Sequence, residues 1–141
     1  MRLHPHINFG GQCQAAFQFY EQCLGGKIVT MLTWGDSPMA KDVAPEWHQK
    51  ICHATLTAGA SELAGVDDPF DLYQGEPYQR PQGFQMILEV DQPVEAERIF
   101  AAMTESGGVK MPLQKTFWAA RFGVVVDQFG VTWEINCAQA D

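Results

Sequence analysis

The chain has 141 residues, 46% of them apolar, with 17 acidic side chains against nine basic ones and a net charge of −8. That is enough apolar material for one globular domain and too much for a disordered chain. No apolar run approaches the roughly 18 residues of a membrane span, the opening Met1-Arg2-Leu3-His4-Pro5-His6 lacks a signal-peptide core, and the scattered Lys and Arg form no stripe for phosphates. The reading is a cytoplasmic protein with neither a nucleic-acid nor a membrane partner.

Residues 3–9 alternate Leu3, Ile7 and Phe9 with His4, His6 and Asn8, which predicts a strand with one apolar face. After Gly10-Gly11, Ala16, Phe19, Tyr20 and Cys23 recur at helical spacing, so residues 12–24 read as a helix that Gly25-Gly26 ends. Residues 27–34 read as a strand, 35–49 as a loop with two prolines, and 51–58 with 61–66 as a hairpin across Gly59-Ala60. A long loop, 67–82, is expected as a lid, an interface segment or a loose connection. The pattern then restarts with a strand at 83–90, a helix at 94–105 led by Pro93 and stopped by Gly107-Gly108, and a short strand near 109–111. A closing hairpin, 121–126 with 131–136, turns over Asp127-Gln128-Phe129-Gly130.

The order is thus β-α-β-β-β twice. Sliding the first half by 81 puts Phe9 on Val90, Ala15 on Ala96, Phe19 on Phe100 and Gly26 on Gly107. The expected fold is α+β: two paired β-α-β-β-β modules forming a curved mixed sheet cup, helices outside. It is read as one domain of residues 1–141, with module one at 1–66, the loop at 67–82 and module two at 83–141. In the first strands Ile7, Phe9, Leu88 and Val90 are assigned to the helix side, and His4, His6, Gln85 and Ile87 to the cup. Cys13, Cys23, Cys52 and Cys137 make no C-x-x-C pair and are read as buried free thiols.

Five stretches carry a resemblance: His6-Ile7-Asn8-Phe9-Gly10-Gly11, Phe19-Tyr20, Trp34-Gly35-Asp36, the run from Met111 to Gly123, and the run from Asp127 to Cys137. Through them the chain resembles the vicinal oxygen chelate superfamily of glyoxalases, bleomycin-resistance proteins and extradiol dioxygenases, in its PhnB-type branch. That branch carries a 3-demethylubiquinone methyltransferase-like label, yet no Rossmann-type glycine-rich loop follows any strand here. Fold follows from such a resemblance more firmly than reaction does.

Metal-dependent members of the superfamily place one ligand on each of four cup-facing strands. Carried over, those places hold His4 or His6, Glu62, Gln85 and Glu134. An imidazole, two carboxylates and an amide oxygen suit one divalent ion, Zn, Ni, Mn or Fe, with water at the open positions. Glu134 and Glu62 are then the catalytic candidates, one of them doubling as general base. PhnB-type sequences commonly carry apolar residues where Glu62 and Glu134 stand, which favours a metal, whereas Gln85 replaces a frequent His, which disfavours it. Arg121 is the candidate for gripping an anionic substrate, against an ordinary surface ion pair. Trp34 and Trp118, with Phe117, are candidate pocket walls, against core or dimer contacts. Three functions stand open: a metal-dependent lyase, isomerase or dioxygenase acting on a small vicinal-oxygen substrate, a metal-free small-molecule binding or resistance-type protein, or a non-catalytic dimer retained for interaction only. The resemblance also implies a homodimer.

Overall fold

Each half of the chain folds as a four-stranded mixed sheet with one helix on one face. The computed structural model describes residues 1–69 and 77–140, and the chain divides into two units, Met1–Arg80 and Pro81–Asp141. Among the described residues no helix is long and apolar enough to cross a membrane.

The first unit holds β1 (His6–Phe9), α1 (Cys13–Leu24), β2 (Lys27–Thr33), β3 (Ile51–Ala58) and β4 (Ser61–Asp67), in the sheet order β1-β4-β3-β2. The β1–β4 pair is parallel and the others antiparallel. Helix α1 buries Cys13, Ala16, Phe17, Tyr20 and Cys23, a stripe at helical spacing. Phe17 thus takes the core position expected of Phe19. The helix lies so close to β4 that a Cβ on Gly65 would come within 2.6 Å of the Phe17 ring. Gly65 therefore marks the helix side of the sheet, and strand alternation turns Glu62, Ala64 and Val66 to the opposite, open face. His6, in register with Ala64, shares that open face.

Helix α1 has no side-chain cap of its own at Gln12. Asp67, buried at the end of β4, supplies one from across the unit: Oδ1 accepts the amides of Gly11 (2.9 Å) and Cys13 (3.0 Å), and Oδ2 that of Ile51 (2.8 Å). Three otherwise orphaned donors are satisfied by one carboxylate. The connection 34–50 makes two short 3-10 turns, Ala40–Asp42 and Pro45–Trp47.

The second unit holds β5 (Met86–Val90), α2 (Pro93–Glu105), β6 (Gly108–Gln114), β7 (Ala119–Val126) and β8 (Thr132–Ala138), ordered β5-β8-β7-β6. Here β5–β8 is the parallel pair. Ala96, Ile99 and Met103 of α2 are buried, as are Trp133, Ile135 and Cys137 of β8. The turn at 127–130 is held by Asp127, whose Oδ1 accepts the amides of Phe129 (2.9 Å) and Val131 (3.0 Å) while Oδ2 accepts the Trp133 indole N–H (2.9 Å). Gly130 adopts φ 92° there, which suits glycine.

The duplication is real at Gly26 and Gly107, where a Cβ would collide with the carbonyl of Thr57 in β3 and of Val126 in β7, the equivalent strands. The helix stops differ, however. Gly25 is left-handed at φ 69°, while Ser106 closes α2 at φ −121°.

Three expected boundaries move. Strand β1 starts only at His6, so Leu3 is 99% exposed and His4 lies outside the sheet. Strand β5 starts at Met86, which leaves Gln85 exposed just before it. Strand β6 runs on to Gln114 through two register shifts and Pro112, which an edge strand tolerates because its outer N–H has no partner to lose. Of the predicted 67–82 loop, residues 70–76 lie outside the described residues; Asp67 ends β4, and the Tyr78 ring packs on Gly10 with its hydroxyl donating to the Asn8 carbonyl at 3.2 Å.

Candidate functional site

In the first unit, β1, β4 and β3 bring His6, Glu62, Ala64, His53, Thr55 and Thr57 to the open face, by register and alternation. Ala64 is small, and across it the rings of His6 and His53 meet edge to face with centroids 6.4 Å apart. Burial, and then the neighbouring His53 and His4, holds His6 below the ordinary imidazole range. Its neutral form, which has an electron pair to offer, is thereby favoured. His53 was missed by the reading of the sequence; its signal is the β3 alternation His53, Thr55, Thr57 against the buried Ala54 and Leu56.

Glu62 pairs with Arg2. The two line a shallow depression of about 360 Å³ with His4, Pro5 and Ala60. Trp34 is a core residue rather than a pocket wall: it is 4% exposed, packs with Val43, Val66, Trp47 and Cys52, and donates its indole N–H to the Asp67 carbonyl at 2.9 Å. The reason is the 34–50 connection, which buries it.

In the second unit, Ile87 and Glu89 of β5, Phe122 and Val124 of β7, and Thr132, Glu134 and Asn136 of β8 share the open face. Gly123 marks the helix side, since a Cβ there would come within 2.8 Å of the Phe100 ring of α2. Glu134 stands in mid-strand between Ile87 and Val124, half-buried, and no hydrogen bond or ion pair reaches it among the described residues. Trp118, 47% exposed, meets the Phe122 ring edge to face at 5.2 Å and Phe117 at 4.6 Å. It stands at the rim of this face.

Arg121 does not face the same way. Its register partner is Cys137, on the helix side, and its guanidinium reaches Glu97 of α2 at 3.1 Å and the Ala120 carbonyl at 2.7 Å. The surface ion pair is the arrangement found, beside a shallow depression of about 320 Å³ that also includes Lys115 and Gln139.

The candidate donors stand apart within each unit. Glu62 pairs with the exposed Arg2, Gln85 is exposed outside its strand, and among the described residues no group of three His, Cys, Asp or Glu side chains is placed to hold a metal ion. The thiols add nothing to the donor set: Cys13, Cys23 and Cys137 are buried, and burial, then the Asp67 carboxylate, pushes the Cys13 thiol far up. Asn136 is a further residue missed in the sequence, where its position two places beyond Glu134 was the available signal.

Residues 4–135 match the model of the Glyoxalase/Bleomycin resistance protein/Dioxygenase superfamily. The chain is 33% identical to Protein YjdN of Escherichia coli (strain K12), over 96% of its own length and 95% of that protein's. Among solved structures it is similar to protein PA1353 from Pseudomonas aeruginosa, with 42% identity, a TM-score of 0.88 and 99% of each chain covered. It also shares its fold with a PhnB protein from Bacillus cereus, at TM-score 0.79 and 19% identity, with 98% of this chain and 100% of that one covered.

Proposed function

The chain belongs to the glyoxalase/bleomycin resistance protein/dioxygenase superfamily, and on that premise we propose that it is a PhnB-like protein that binds a small molecule on the open face of its second sheet. One observation carries the reading: Glu134 is a half-buried, unpartnered carboxylate in mid-strand among Ile87, Val124 and Phe122, with Trp118 at the rim. A polar group held in apolar surroundings without a protein partner is suited to receive one from a ligand. The apolar body of the ligand packs on Trp118 and Phe122, and its polar end meets Glu134. A bound molecule presenting an acidic O–H or C–H about 3 Å from Glu134 would lose its proton there, which is the enzymatic form of the same reading.

The metal-dependent lyase, isomerase or dioxygenase is the second reading: His6, favoured in its neutral form, speaks for it, and the Arg2–Glu62 ion pair speaks against it. The deciding experiment is metal analysis of untagged protein after reconstitution with Zn²⁺, Ni²⁺, Mn²⁺ and Fe²⁺, followed by tryptophan-fluorescence titration of chelated protein with aromatic small molecules. Substoichiometric metal and ligand quenching that Glu134→Ala weakens are expected. One equivalent of metal that Glu134→Ala removes would overturn the reading in favour of the metal enzyme. The working form is proposed to be a cytoplasmic homodimer, for which light scattering should give twice the 15.7 kDa chain mass.

A further inference from the structure

We infer that Asn136 is a second ligand-holding residue beside Glu134, and that the pair selects a small organic cation with N–H donors on a flat apolar body; this rests on the reading of the second sheet's open face as the ligand surface. Asn136 lies two residues beyond Glu134 on β8, so the two side chains leave the same face. Its Oδ1 is buried and finds no hydrogen-bond partner among the described residues. Buried amide oxygens are nearly always satisfied, and leaving one open lowers stability, so an orphan beside a lone carboxylate points to a partner brought from outside.

Both groups accept, so the ligand must donate. On β5, β7 and β8 this face carries Glu89 and Glu134 and no Lys or Arg, because Arg121 is turned to α2 and paired with Glu97. The two carboxylates attract a cation and repel an anion. Phe122, the register partner of Asn136 on β7, touches Trp118 edge to face, which puts aromatic surface beside the acceptors for a flat cation to cover.

Isothermal titration with benzamidine, benzyl alcohol and benzoate tests this on the wild type and on Asn136→Leu, Asn136→Asp and Glu134→Gln. Benzamidine should bind in preference to the other two. Asn136→Leu should weaken it about tenfold and also raise the melting temperature of the ligand-free protein, since an unsatisfied oxygen is replaced by a group of like shape. A merely structural asparagine would do the reverse. Asn136→Asp should tighten benzamidine binding by adding charge. The inference falls if Asn136→Leu leaves the affinity unchanged or lowers the melting temperature. It also falls if benzyl alcohol or benzoate binds as tightly as benzamidine; Glu134→Gln then tells the two readings apart, because binding that it weakens upholds the surface and rejects only the cation. Absence of binding by all three overturns both.

Discussion

In the first unit residues 34–50 connect β2 to β3, and in the second only 115–118 connect β6 to β7. The long connection folds against the open face near Val66 and builds a small core from Trp34, Val43, Trp47 and Cys52. The short one leaves Phe117 90% exposed and Trp118 at the rim of an open sheet. Polar groups follow the same division. Glu62 has Arg2 as its partner, whereas Glu134 has none among the described residues and Asn136 keeps an unpaired oxygen. Two copies of one plan have therefore diverged through the length of a connection, which decides whether a tryptophan holds the fold or stays exposed beside the sheet.

The strongest way to break this comparison is to truncate the core side. Trp34→Ala opens a void and leaves the Asp67 carbonyl without its indole donor, with an expected loss of about 3 to 5 kcal/mol in urea unfolding. Asp67→Ala strands three amide donors and should cost about 3 kcal/mol or more. Asp127→Ala, which confines its damage to one hairpin, should cost roughly 2 kcal/mol. Trp118→Ala should change stability by less than about 0.5 kcal/mol while removing ligand quenching; equal losses at Trp34 and Trp118 would erase the distinction between the units.

Thiol labelling sharpens the picture at lower amplitude. With a maleimide reagent, Cys52, the partly exposed thiol, should react first, and Cys13 only on unfolding, because burial and the Asp67 carboxylate oppose its thiolate. The smallest effect concerns pH. His6 titrates lower in the folded state than the roughly 6.5 of a free imidazole. The unfolded chain therefore takes up the proton first, and stability falls as pH drops from that value through the lower folded one. His6→Gln should reduce the loss of urea midpoint between pH 7.5 and pH 5; an unchanged loss would remove His6 as its source.

Most of the fold was legible because glycine stops and two periodicities locate strands and helices without knowledge of their partners. Gly26 and Gly107 are the clearest case, each lying where a strand carbonyl leaves no room for a Cβ. The site was less legible because it depends on register. Arg121 reads like a cup residue until β7 is paired with β8, where a register shift between Ala119 and Arg121 accompanies its pairing with Cys137 on the helix side. His4 reads like a strand residue until β4 is seen to bond only as far back as Pro5, whose carbonyl accepts the Ala64 amide at 3.0 Å. Trp34 could not be placed without the path of the connection that buries it. The face that Glu134 occupies was legible, since Trp133 and Ile135 on either side fix it.

Asp67 also bears on how the first unit opens. Its carboxylate joins positions 56, 54 and 16 residues away along the chain, the entrance of α1 on one side and the start of β3 on the other. The amides of Gly11, Cys13 and Ile51 should therefore behave as one cooperative unit in native-state hydrogen exchange, slowing together and sharing a single opening free energy although they belong to two segments far apart in the chain.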